Sequence, residues 1–328
     1  MILTRTPFRI TLGGGGTDLP SYYSKYGGFI FSVGIDKYMF IDANRPAADD
    51  LIRIKYSKSE TVENIDEVQH DIAKEILKFT SIEKAIEISS LSDIPAGTGL
   101  GSSSCYAVGL LHALHTLKRD YVSLTDLAEE NFKIEAEILG RPIGKQDPYM
   151  AALGGLTVLD IEKDGRVKAR KANVPYEVAD ALNGNMLVFF TGLTRSADDI
   201  LVEQKKAVQE ERKEVVESMH FIKELGYKIL EAVESGNISD VGRLFHEHWQ
   251  YKKKISNRMS NENLDMIYAK AMENGALGGK ISGAGGGGFF TFYVENNQKK
   301  FREAMRGMGL REMRYRFDFE GSKVLVDF

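Results

Sequence analysis

The 328-residue sequence contains one cysteine, Cys105, so no intramolecular disulfide can form, which fits a reducing cytoplasm. It has no apolar run approaching the roughly 20 residues that a membrane helix needs. Its N-terminus shows no signal-peptide pattern, so a cytoplasmic protein is expected. An excess of one charge is also missing. The net charge is −4 and the pI about 6.0, which makes neither nucleic acid nor a membrane surface an expected partner. Low-complexity segments and internal repeats are absent. His246 and His248 flank Glu247 without the H-E-x-x-H spacing of a zinc site, and His112 and His115 read as ordinary helix residues.

Glycine, by contrast, is concentrated in three runs. The most informative is Pro95 to Cys105, PAGTGLGSSSC. Gly97, Gly99 and Gly101 clear side chains from a turn so that backbone N–H groups can approach an anion. Ser102, Ser103 and Ser104 follow, and Ala107, Leu110, Leu111, Leu114 and Leu117 then recur at helical spacing. A glycine loop running into a helix N-terminus makes a phosphate cradle, because the unpaired N–H groups and the helix dipole both favour negative charge.

The other common phosphate loops are excluded. No lysine follows Gly101, so a Walker A loop is disfavoured. Gly283 to Gly288 satisfies G-x-G-x-x-G, but Phe289 to Val294 reads as a strand where the dinucleotide fingerprint requires a helix, which argues against an NAD-dependent oxidoreductase. Gly13 to Gly16 lacks that fingerprint as well. Three such loops far apart in sequence suggest one site assembled from distant segments.

The coarse pattern mixes strands and helices up to residue 182: strands at 29–42, 85–89 and 157–161, helices at 68–79 and 124–139. A strand at 186–190 precedes an almost wholly helical stretch, 196–272. Strands near 289–294, 313–319 and 323–326, with a helix near 298–308, complete an α+β ending. The composition shift at Asn183 to Asn185 places a domain boundary between 1–184 and 185–328. On the helix at 124–139, Ala128, Phe132, Glu135 and Leu139 share one face. A carboxylate in that apolar stripe is buried, and it needs either a cationic partner or a metal; the pattern alone leaves both open. By themselves Asp147, before Pro148, reads as a turn residue and Arg9 as a surface cation. The run Lys252 to Lys254 reads as a solvated helix face, with one lysine kept as a contact for a substrate phosphate.

Three segments together resemble the signatures of the galactokinase, homoserine kinase, mevalonate kinase and phosphomevalonate kinase (GHMP) superfamily: PFRITLGGGGTD (7–18), PAGTGLGSS (95–103) and GKISGAGGGG (279–288). The resemblance implies an α+β fold with a ribosomal-protein-S5-like N-terminal domain, a ferredoxin-like C-terminal domain and an active site between them. It implies ATP on Pro95, Gly97, Thr98, Gly99, Leu100, Gly101, Ser102, Ser103 and Ser104, with Mg2+ on Ser103 and Glu135. It makes Asp147 the acceptor of the substrate's hydroxyl proton and Arg9 a basic residue near the transferred phosphate. Gly15, Gly16, Thr17, Asp18, Arg195, Gly286 and Gly287 are the implied substrate contacts. GGGGTDLPSYY, IGKQDPYMAALGG and FTGLTRSADDIL look most like the D-glycero-D-manno-heptose 7-phosphate kinases of the superfamily, which phosphorylate the anomeric hydroxyl to give the 1,7-bisphosphate. Fucokinase-like and other anomeric sugar kinases are the alternative, and intact Asp147, Glu135 and Ser103 argue against a non-catalytic sugar sensor. The implied partner is a small sugar phosphate, bound by a monomer or homodimer.

Overall fold

The structure, a computed structural model, describes residues 1–193, 197–256, 259–283 and 285–328. Two long strands, β1 (Ile2–Gly13) and β2 (Gly28–Asn44), are joined through the short helix α1 (Pro20–Tyr26). They pair antiparallel from Ile2 opposite Ala43 to Gly13 opposite Phe31, with register shifts at Pro7/Phe8 and Thr11/Gly13 that bend the pair. Next come β3 (Ile52–Lys55), β4 (Ser59–Val62), a short 3-10 turn, α2 (Asp71–Phe79) and β5 (Ile86–Ser92). Helices α3 (Ser102–Lys118), α4 (Leu124–Phe132) and α5 (Gln146–Leu153) follow, then β6 (Leu156–Ile161), β7 (Val167–Lys171) and α6 (Tyr176–Asn185). The length of β2 lets its first half pair with β6 and its second half with β5, so one strand organises most of the large sheet.

A second sheet is built from β8 (Met186–Phe190), then, after α7 (Ala197–Gln209), α8 (Lys213–Glu234), α9 (Ser239–Ile255) and α10 (Glu262–Glu273), from β9 (Gly278–Ile281) and β10 (Phe289–Tyr293). Helix α11 (Gln298–Gly307) leads to its last strand, β11 (Arg311–Met313), and the order is β11-β8-β10-β9. The chain then returns to the first sheet: β12 (Phe317–Asp318) pairs with β2, and β13 (Lys323–Asp327) covers the outer edge of β1. The division expected at 184/185 therefore does not hold for the last residues. A strand expected over 313–319 is split between the two sheets, β11 pairing with β8 and β12 with Ile35 and Gly34 of β2, on the way to β13, which satisfies the edge N–H and C=O groups at the start of β1. Ser322 secures the return, its hydroxyl meeting Thr6 Oγ1 at 3.2 Å and His112 Nδ1 at 2.9 Å.

The helix expected over 124–139 also differs. Ser123 caps it, accepting the Asp126 N–H at 3.1 Å, but α-helical hydrogen bonding ends at Phe132, and Lys133–Ile138 forms a wider π-type turn. That turn carries Glu135 into the interior. The main core lies between the large sheet and helices including α3 and α8, with Phe8, Ile10, Phe31, Leu110 and Leu114 fully buried. Phe189, Trp249, Phe290, Phe292 and Phe301 form a separate aromatic core against the small sheet.

Helix α8 crosses β1 closely enough that a β-carbon on Gly226 lies 2.8 Å from Phe29 Cδ1 and 2.9 Å from the Gly14 nitrogen. Gly226→Val should therefore cost about 1–3 kcal/mol through overpacking, measured as a lower midpoint in urea. An unchanged midpoint would show that the helix does not rest on that strand.

Candidate active site

Arg9, buried on β1, is the hub. Its Nε and Nη2 reach Asp147 Oδ1 at 2.8 and 2.7 Å, and its Nη1 donates to the Gly99 carbonyl at 2.7 Å. One guanidinium thus ties β1, the glycine loop at 97–101 and the start of α5 together, a job its planar fork of donors suits. Asp147 is in the first turn of α5 rather than in the polar turn expected there, and the helix N-terminus favours its negative charge. Pro148 is tolerated because first-turn N–H groups have no intrahelical partner. Asp147 Oδ1 also accepts from Gln146 Nε2 at 3.2 Å. Among the described residues Oδ2 takes no hydrogen bond, and the side chain is 30% exposed to the cavity beside it. Position and orientation are set through one oxygen, leaving the other for a ligand.

Asp18 lies on the same wall, joined to Asp147 through Gln146. Its Oδ2 accepts the Gln146 N–H at 3.0 Å and its Oδ1 the Gly16 N–H at 3.2 Å, while Gln146 Nε2 donates to Thr11 Oγ1 at 2.7 Å. Burial pushes the Asp18 carboxyl above the usual range, opposed by the Gln146 N–H and reinforced by nearby Asp147. Two carboxylates held apart on one wall can meet different hydroxyls of a polyol.

The glycine turn at 97–101 leads into a helix, as its spacing predicts. Gly97, Gly99 and Gly101 have φ of 75°, 79° and 90°, and Gly101 is the N-cap of α3. A β-carbon on Gly99 would lie 2.6 Å from the Ser282 carbonyl oxygen, so the second glycine loop rests backbone to backbone on the first. Part of the glycine content at both loops serves this contact.

Several implied contacts stand elsewhere. Thr17 is buried, donating to the carbonyls of Gly14 and Phe29 at 2.8 Å, where it pins the first glycine loop to β2. Leu100 is fully buried, and the Thr98 hydroxyl donates to Pro95 O at 3.0 Å. Gly286 donates its N–H to Met259 O at 3.0 Å and Gly287 lies against Leu193, so both shape the loop behind the cavity. Ser104 turns inward to Glu135 Oε1 at 2.9 Å. Of the expected set, Arg9, Asp147, Gly15, Gly16, Asp18, Pro95, Gly97, Gly99, Gly101, Ser102 and Ser103 do line one cavity of about 900 Å³. Arg195 is outside the described residues.

Glu135 is buried, as its stripe on the helix predicts, and it has a cationic neighbour. Arg141 Nη1 lies 3.4 Å from Oε2, and the Ser103 and Ser104 hydroxyls contact the carboxylate. Burial pushes this carboxyl up, and the two serines and Arg141 offset only part of the shift. A carboxylate still disfavoured after those contacts gains from a further cation, and hard oxygens from a carboxylate and a hydroxyl suit Mg2+.

The opposite wall shows what sequence reasoning missed. Of the lysine run only Lys252 faces the cavity; Lys253 pairs with Asp265 at 3.3 Å and Lys254 lies over the Tyr251 ring. His248 and Lys280, not singled out for function, line the cavity beside Lys252. The signal was present: Phe245, His248, Lys252 and Ile255 form one stripe of α9, and all are buried.

Residues 59–155 match the GHMP kinases N terminal domain and residues 229–309 the GHMP kinases C terminal domain. Over 311 residues the chain is 32% identical to D-glycero-α-D-manno-heptose 7-phosphate kinase of Campylobacter jejuni, covering 91% of each. The chain belongs to the GHMP kinases. It is 28% identical over 334 residues to galactokinase of Pyrococcus furiosus, covering 91% of this chain and 90% of that one. Among solved structures, D-glycero-D-manno-heptose 1-phosphate kinase of Bacteroides thetaiotaomicron superposes with a TM-score of 0.83 over 100% of both chains at 24% identity, which supports the shared α+β fold. The protein is an ATP-dependent phosphotransferase, a sugar kinase of this family. The glycines at 283–288 lead into strand β10, which removes the dinucleotide-binding alternative.

Asp147→Asn keeps the shape of the site but removes its basic oxygen. Turnover should fall by about 10²–10⁴ with ATP binding retained, measured by steady-state kinetics and nucleotide titration on one preparation. Near-normal turnover would remove Asp147 from the chemistry.

Proposed function

We propose that this kinase transfers the γ-phosphate of ATP to the anomeric hydroxyl of D-glycero-D-manno-heptose 7-phosphate, giving the 1,7-bisphosphate. The observation that carries the reading is the Arg9–Asp147 pair beside the 97–101 loop, with Asp147 Oδ2 open to the cavity. The acceptor hydroxyl donates to Oδ2 and loses its proton there as its oxygen attacks the γ-phosphorus and the bond to the β-phosphate oxygen breaks. Arg9 orients Asp147, and the N–H groups at the start of α3 hold phosphate oxygens. Asp18 and the backbone of Gly15 and Gly16 take the hydroxyls near the reacting carbon. The choice of sugar is supported by the 32% identity with the Campylobacter enzyme along 91% of both chains. The reading extends to a cytoplasmic monomer or homodimer whose first unit ends near residue 184 and takes back the last two strands.

Ser103 and Glu135 would hold Mg2+, which neutralises charge on the β- and γ-phosphates. Without metal the sign of the Glu135 linkage is adverse. Its folded carboxyl is raised above 4.5, so stability is lost as pH rises from 4.5 through the folded value. Glu135→Gln should therefore leave the metal-free melting temperature at pH 7 unchanged or higher, while raising the Mg2+ concentration for half-maximal rate. A lower melting temperature with an unchanged Mg2+ requirement would make Glu135 a structural partner of Arg141 instead.

An ADP-release screen over heptose 7-phosphate, fucose, galactose, mannose and mevalonate tests the acceptor. The highest kcat/KM is expected for heptose 7-phosphate. A preference for unphosphorylated fucose would overturn the substrate while leaving an anomeric sugar kinase in place.

A further inference from the structure

The cavity walls carry charge unequally. On the side of α3 and α5 each acid has a partner close by: Asp147 has Arg9, Asp71 has Arg141 at 2.7 Å, and Asp18 has two backbone N–H groups. On the side of α9 and β9, Lys252 and Lys280 are 8% and 3% exposed, and neither has a carboxylate within ion-pair distance among the described residues. Lys252 donates to the carbonyls of Gly283 and Ile281, and Lys280 to Leu12 O at 2.8 Å. Each ammonium has three donors, so unused ones remain on both. His248, 1% exposed between them in the cavity lining, has no hydrogen-bond partner on another residue among the described residues at either ring nitrogen. Buried ammonium groups without anions are costly: burial and then Arg9 disfavour the charged form of Lys252, and burial, Lys252 and Arg9 that of Lys280.

The position of the cluster indicates which ligand it serves. Lys280 reaches the last carbonyl before the Gly13–Gly16 loop, which the proposed function gives to the acceptor sugar. The nucleotide phosphates have the start of α3 as their own cradle. We infer that Lys252, Lys280 and His248 form a subsite for the phosphate that the acceptor sugar already carries, so that the enzyme selects phosphorylated over free sugars through this wall. The inference rests on the proposed reading of the chain as a kinase of sugar phosphates. A dianion here supplies the missing counter-charge, accepts the unused Lys252 and Lys280 donors and a His248 N–H, and leaves the far end of the sugar facing Asp147.

The test measures binding of D-glycero-D-manno-heptose 7-phosphate and of the same heptose without phosphate by calorimetry, without ATP, to the wild-type chain and to Lys252→Met and Lys280→Met. Turnover and KM for ATP are measured alongside. Each charge-assisted contact corresponds to roughly a 10- to 100-fold change in affinity. The wild type should bind the phosphorylated heptose at least that much more tightly than the free sugar. Each variant should lose most of this preference, with affinity for the free sugar and KM for ATP changed less than about 2-fold, well below one such contact. Because each variant removes a buried charge without a carboxylate partner, its melting temperature should be held or raised, so lost binding is not lost folding. Lys252→Met also removes the bonds to the Gly283 and Ile281 carbonyls, and Lys280→Met the bond to Leu12 O; if one melts early the other decides, and if both do, His248→Leu, which breaks no bond to another described residue, decides. A wild type that binds both sugars equally, variants that weaken both equally, or variants that raise only KM for ATP would each overturn the inference. Selective binding without turnover of any sugar would uphold the subsite and overturn the proposed reaction; turnover without selectivity would do the reverse.

Discussion

The active site depends on one buried guanidinium. The Arg9 side chain bonds to residues 90 and 138 positions away and so joins the 97–101 loop and the start of α5 to β1, beside the bonds from Arg9 N–H to Leu100 O and from Gln146 to Thr11. The pair also aims Asp147: it is held through Oδ1, which leaves its second oxygen facing the cavity. A lysine at position 9 could supply the charge but not three donors in one plane. The remaining parts of the site are arranged around this pair: Asp18 reaches it through Gln146, and Glu135 stands behind the phosphate loop through Ser103 and Ser104.

Bringing the halves of the chain to that pair requires backbones to meet without side chains between them. Gly99 against Ser282 and Gly226 against Gly13 are such crossings, at distances where a β-carbon has no room. Glycine is therefore plentiful for two separable reasons, the positive φ of the turn at 97–101 and the close approach of that turn to Ser282 and Gly283. The same chain segments supply opposite walls of the cavity, acidic on the β1–α5 side and basic on the α9–β9 side. That asymmetry suits a ligand with hydroxyls at one end and negative charge at the other.

Much of this was legible in the sequence. Strands with alternating or continuous apolar residues, such as 29–42 and 186–190, appear within a few residues of their expected bounds. Glu135 was identifiable as a buried carboxylate from its helical stripe alone. Its partners were not, because the π-type turn that swings it inward has no periodic signature. The return of β12 and β13 to the first sheet was equally hidden: a strand's own residues say little about which distant edge needs covering. Ser104 and Thr17 were placed on the ligand by their neighbours, yet short hydroxyls beside a tight turn satisfy backbone or buried carboxylate groups first. Lys252 was hidden in a run of three lysines, where the charge suggested solvent and only the apolar neighbours Phe245 and Ile255 indicated the interior.

The account holds that the second oxygen of Asp147 activates the anomeric hydroxyl of a heptose that already carries a phosphate. Phosphorus NMR of the product formed from ATP and D-glycero-D-manno-heptose 7-phosphate tests this most directly. The account predicts one new phosphomonoester signal coupled to the anomeric proton, with the original 7-phosphate signal retained. A new phosphate on any other carbon, or ADP formation without a sugar bisphosphate, would contradict it.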